Sequence, residues 1–164
     1  MRFGAIGAQS AGAAAVCSAL LAVAFIDWEH LIIPDGLNVV IAAAGLLLLW
    51  AGGGPSATER FIGAVCVSGP LLLIALASNG RAMGGGDIKL TAALGLCLGW
   101  RLMLLTLVLS SVGGTAVMLL LRRTRWALGR QVPFGSFLAA AGIAALLVGD
   151  RIVAWYLSLL GGGM

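Results

Sequence analysis

The chain has 164 residues, 61% of them hydrophobic and 10% charged, with a net charge of +4, and its mean hydropathy is +1.09. A soluble domain carries charge on about a quarter of its residues, so this composition excludes an ordinary soluble domain and indicates an integral membrane protein. No polar block is long enough for a separate soluble unit, and residues 1–164 read as one polytopic, all-α membrane domain.

A membrane-crossing helix needs roughly 20 apolar residues. The first candidate covers residues 6–26; it follows Arg2 as a signal peptide would, but it runs into Asp27 without a good cleavage site and is expected to be retained. The second, 36–52, stops at the breaker Gly52-Gly53-Gly54-Pro55. A short link from Ser56 to Arg60 leads to the third, 61–78, and Asn79-Gly80-Arg81 with the glycines at 84–86 forms a loop. Residues 88–100 make a short fourth span, and Gly99-Trp100-Arg101 has the residues of an interfacial turn. A fifth span covers 102–121, a basic loop runs from Arg122 to Gln131, and a sixth span covers 132–149. The tail 152–160 is too short to cross again and either extends the sixth helix past Asp150-Arg151 or lies on the surface. About six transmembrane helices are therefore expected.

Span parity orients the chain. Two spans separate Asp27 from Asp87 and two more separate Asp87 from the cluster Arg122, Arg123, Arg125 and Arg130, which puts all three loops on one face. With Arg81 and Lys89 that face holds six basic residues, against Arg2, Arg60, Arg101 and Arg151 on the other. The positive-inside rule makes the shared face cytoplasmic. Residues 88–121 decide the side of the basic loop, because a single tilted helix there would put that loop on the opposite face.

Asp27 and Asp87 stand at the ends of long apolar segments, where a carboxylate is costly and marks a functional position. Taken singly, Asp27 is a helix-end charge reaching water, and Asp87 an N-cap that suits the positive end of a helix. Together on one face they form a candidate catalytic pair. Two carboxylates a few ångströms apart do not both ionise easily. The ionised one takes a proton from water, and the protonated one polarises a peptide carbonyl and then helps protonate the leaving amine. Gly84, Gly85 and Gly86 permit close approach of a peptide backbone.

Three blocks carry a family resemblance: Asp27 through Ile33-Pro34-Asp35-Gly36-Leu37, Met83-Gly84-Gly85-Gly86-Asp87-Ile88-Lys89-Leu90, and Val132-Pro133-Phe134-Gly135-Ser136-Phe137-Leu138. The chain resembles the prepilin peptidases (type IV leader peptidases), polytopic aspartyl proteases with a GxGD motif. Ser136 departs from that pattern, standing where proline is common. The resemblance implies Asp27 and Asp87 as the catalytic residues, with Gly84, Gly85, Gly86, Lys89, Pro34 and Asp35 as motif support. Asp35 is otherwise a cap on the second helix, Lys89 a side chain reaching the interface, Glu29 and His30 solvated loop residues, and Pro133-Phe134-Gly135 the start of the last helix.

By resemblance the substrate is a prepilin or pseudopilin of the type IV or Flp kind, whose short basic leader is removed at the cytoplasmic face of the inner membrane. Longer relatives carry a cysteine-paired insert and also N-methylate the product. Cys17, Cys66 and Cys97 form no CxxC pair, so peptidase activity without methyltransfer is expected. No cofactor is expected, and one histidine without partners offers no metal site. The basic cluster is short and juxtamembrane, which fits anionic lipid rather than nucleic acid. Two other classes explain part of the pattern. A proton- or cation-coupled transporter subunit would use Asp27 and Asp87 near mid-membrane, and a catalytically silent assembly factor would not need both.

Overall fold

A computed structural model describes residues 2–50, 54–81, 83–121 and 133–161. Arg122, Arg123, Arg125, Arg130 and Val132 lie outside the described residues. The described residues form five helices: α1 (Arg2–His30), α2 (Asp35–Trp50), α3 (Ala57–Ala77), α4 (Gly85–Leu121) and α5 (Phe134–Gly161). Four of them are long and apolar enough to cross a membrane, and α2 is a shorter apolar helix. Large apolar side chains cover the outside, among them Phe25, Leu47, Trp50, Leu73 and Leu147. In water such a surface would aggregate; facing lipid it is at home. The chain is a multi-pass membrane protein.

Residues 88–121 were expected as two spans joined by a turn. Within α4 they are two helical arms that meet at a break at Gly99. There φ is 73° and ψ 172°, a backbone region open only to glycine. The break turns the chain back on itself. Along α5, Gly142 faces Leu94 before the break, Gly149 faces Leu102 just after it, and Gly114 faces Phe137 near the start of α5. The first arm, Gly85 to Leu98, is about 21 Å long at about 1.5 Å per residue, short of the roughly 30 Å hydrocarbon core. Four helices are long and apolar enough to cross a membrane, with α4 counted once despite its two arms, and α2 and the first arm of α4 are shorter apolar segments.

The break frees carbonyls that a continuous helix would have satisfied, and Arg60 takes them up. Its Nη1 donates to the carbonyls of Leu96 (2.8 Å), Cys97 (3.0 Å) and Gly45 (3.3 Å), and its Nε to Pro55 O (3.1 Å). Arg60 is thus a buried clamp on α2, α3 and α4 and not the surface charge that the topology count assumed. The α3 start beside it is closed by a capping box between Ser56 and Glu59. Close contact of α3 with α4 depends on small residues: a Cβ at Gly95 would collide with the Gly63 carbonyl. Packing of this kind drives helix association where water is absent.

The core lies between α1, α2, the first arm of α4 and α5. Val16, Leu20 and Val23 of α1, Ile41 of α2, Leu90 and Leu94 of α4 and Leu138 of α5 are fully buried in it. The tail after Asp150-Arg151 continues as helix within α5.

Candidate functional site

Asp27 lies inside the last turns of α1, not in a loop after it, and it is 5% exposed. Glu29 and His30 also belong to that helix end and are exposed. Leu31 then adopts φ 56°, a left-handed conformation that costs a non-glycine residue roughly 1–2 kcal/mol. The resulting bend turns the chain into Ile33-Pro34. The Pro34 carbonyl accepts from the amides of Leu37 (3.1 Å) and Asn38 (3.4 Å), which starts α2.

Ile33 is the side chain on which the three motif blocks converge. A Cβ on Gly86 would stand 3.0 Å from Ile33 Cβ, and one on Gly135 would stand 2.7 Å from Ile33 Cδ1 and 3.0 Å from Asp27 Cγ. The glycines at 86 and 135 therefore allow α4 and α5 to close on the Asp27–Ile33 segment. Gly84 and Gly85 are exposed, and only Gly84 lies near Asp87, at 3.7 Å from its Oδ2 by the same measure.

Asp87 sits in the first turn of α4, two residues inside the helix start, so it is not the N-cap. It is half-buried, and its Oδ1 is buried without a hydrogen-bond partner among the described residues. Ile33 links it to Asp27, because Ile33 faces both Gly86, the residue before Asp87, and Gly135, which lies against Asp27. The two aspartates thus share one end of the bundle, although 60 positions separate them (87 minus 27). Beside them, Lys89 donates to both carboxylate oxygens of Asp35 at 2.8 Å. This exposed ion pair joins the starts of α2 and α4 and gives both motif residues a structural partner.

One contact was invisible in the sequence. Ser136, in the first turn of α5, donates its amide (2.6 Å) and its hydroxyl (2.9 Å) to Asp27 Oδ2. The same hydroxyl lies 2.9 Å from the Ala24 carbonyl. Trp28 and Phe137 meet edge to face with centroids 6.4 Å apart, which braces α1 against α5 at this level. The only signal for the contact was a small polar residue in a helix start that follows Pro133.

The geometry is that of two carboxyl groups at one end of a helical bundle, one held by donors and one with a free buried oxygen. Such a pair suits proton exchange with a water and an acyl carbonyl between them. Among the described residues no group of His, Cys, Asp and Glu has the arrangement to hold a metal ion.

Residues 14–119 match the type IV leader peptidase family. The chain belongs to that family. The matched segment contains both aspartates and stops before α5. The chain is 39% identical over 148 residues to a prepilin leader peptidase/N-methyltransferase of Aeromonas hydrophila, covering 85% of this chain and 50% of the relative. Proteins of the same name from Pseudomonas aeruginosa (37% over 147 residues, 87% of this chain, 51% of the relative) and Burkholderia pseudomallei (38% over 168 residues, 98% and 52%) are also similar. The chain spans about half the length of these curated relatives. No solved structure matches it.

Proposed function

We propose that the chain is an aspartyl endopeptidase that removes the leader of a prepilin-like precursor, with Asp27 and Asp87 as its catalytic pair. The observation that carries the reading is the convergence of Asp27, Ile33, Gly86, Asp87 and Gly135 at one end of the bundle. Membership of the type IV leader peptidase family supports it. In the proposed reaction the ionised aspartate accepts a proton from water as the water oxygen bonds to the peptide carbonyl carbon. The protonated aspartate donates to the carbonyl oxygen, and the tetrahedral adduct collapses as the C–N bond breaks and the amine takes a proton. The proposal is confined to peptide hydrolysis. Gly84 and Gly85 are exposed beside Asp87, where substrate backbone is proposed to approach.

The site is proposed to face the cytoplasm at the inner membrane. The reversal at Gly99 supports the sidedness expected from parity, because the second arm of α4 returns along α5 toward the Asp27 end. A precursor with its leader in the cytoplasm and an apolar helix in the bilayer would present the bond at that interface.

The test is a gel-shift cleavage assay. The chain is co-expressed with a prepilin-like precursor from its own genome, as wild type, Asp27→Asn and Asp87→Asn. Leader removal by wild type and by neither variant supports the pair. Cleavage by both variants overturns it, and no cleavage by wild type returns the question to proton-coupled uptake, measured in vesicles.

A further inference from the structure

Asp27 and Ser136 are 109 positions apart, yet the residue that differs from the family pattern is the one that grips the candidate catalytic carboxylate. The Ser136 amide is one of the first N–H groups of α5, which have no acceptor within their own helix. Asp27 supplies that acceptor from α1, at the helix end where a negative charge is favoured. The hydroxyl adds a second donor to the same oxygen, Oδ2. Its one proton has two acceptors within reach, Asp27 Oδ2 and Ala24 O. No hydrogen bond among the described residues engages Oδ1.

We propose that Ser136 is a positioning residue for Asp27: it pins Oδ2 and so assigns Oδ1 as the oxygen that exchanges the proton with water. This rests on the peptidase reading and deepens it. A carboxyl group turns easily about its last torsion, which has a broad, roughly two-fold profile. Two donors from one rigid helix end stop that rotation and keep Oδ1 aimed away from α5. Oδ1 gains the proton when water attacks and returns it to the leaving amine, while Oδ2 keeps both donors throughout. A proline at 136 has neither an N–H nor a hydroxyl, so this grip belongs to chains with a residue such as serine there. It lies beyond the segment that matches the family.

The test uses the full-length protein, purified in detergent, and a synthetic precursor peptide with a basic leader and an apolar helix. Ser136→Ala removes the hydroxyl and keeps the amide, Ser136→Thr keeps both, and Ser136→Pro removes both at a helix position that tolerates proline. Loss of a hydrogen bond to a charged group predicts a fall in kcat of about tenfold or more for Ser136→Ala. Ser136→Pro falls further, Ser136→Thr recovers to within about threefold of wild type, and KM stays within about twofold in all three, as for an interaction that acts on the transition state. Melting temperatures identify any variant that fails through misfolding, and Ser136→Thr then carries the decision. Wild-type kcat in both Ser136→Ala and Ser136→Pro overturns the proposal, and so does a change confined to KM. Asp27→Asn is the control: activity there sinks the peptidase assignment itself, whereas an inactive Asp27→Asn beside fully active Ser136→Ala and Ser136→Pro sinks only the role of Ser136.

Discussion

The two ends of the bundle treat buried polar groups in opposite ways. At the Gly99 end, a broken helix exposes carbonyls, and Arg60 donates to those of Leu96 and Cys97 as well as to Gly45 and Pro55. The α3 start there is closed by Ser56 and Glu59. At the Asp27 end, Asp87 Oδ1 and both polar atoms of the Asn38 amide are buried without partners among the described residues, and Leu31 is held at positive φ. An unsatisfied buried polar group costs about 1–3 kcal/mol. The first end is built so that the fold survives its own irregularity. The second carries unmet hydrogen-bonding capacity, as sites that act on a ligand commonly do.

The comparison breaks most sharply on the aspartates. Asp27→Asn and Asp87→Asn are each expected to lower kcat by about 10²–10⁴-fold, the range of general acid–base catalysis, and Asp87→Asn should leave the melting temperature nearly unchanged. Precursor cleavage and thermal unfolding in detergent measure both. A large stability loss in Asp87→Asn would make that carboxylate structural. Arg60→Met probes the other end. It leaves several buried carbonyls without donors and is expected to cost about 3–5 kcal/mol, read as a lower melting temperature with unchanged kcat per folded molecule. Unfolding at the wild-type temperature would remove the contrast between the ends.

Gly135→Ala sharpens the comparison from within the site. The added methyl would meet Ile33 Cδ1 at 2.7 Å and Asp27 Cγ at 3.0 Å, and displacing a catalytic group by a fraction of an ångström is expected to cost about tenfold in kcat. A variant as active as wild type would show that Asp27 has slack. The smallest effect belongs to the exposed Lys89–Asp35 pair. Lys89→Met should change stability by less than about 1 kcal/mol, measured by the same thermal unfolding; a larger loss would make the pair a structural clamp.

The aspartates were legible because charge is rare in apolar sequence and because each stands in a recognisable block. Burial, by contrast, has no local signature. Arg60 looked like a headgroup charge, since nothing near it in the chain says that Leu96 and Cys97 will present bare carbonyls to it. Ser136 was visible only as a departure from proline, because its partner lies on a helix at the other end of the chain. Gly99-Trp100 was legible as a turn, though the shortness of the arm before it left the number of crossings open.

The amino-acid sequence by itself determined the membrane setting, the helical class, the positions of the breaks and the two aspartates. Those follow from local properties: hydropathy, glycine and proline, and the cost of charge in an apolar segment. Tertiary structure alone decided which oxygen of Asp27 is held, which carbonyls Arg60 satisfies and which polar groups stay unpaired. Those depend on helices far apart in the chain meeting at one level, and hydrogen-bond partnership is a matter of ångströms that no local pattern encodes.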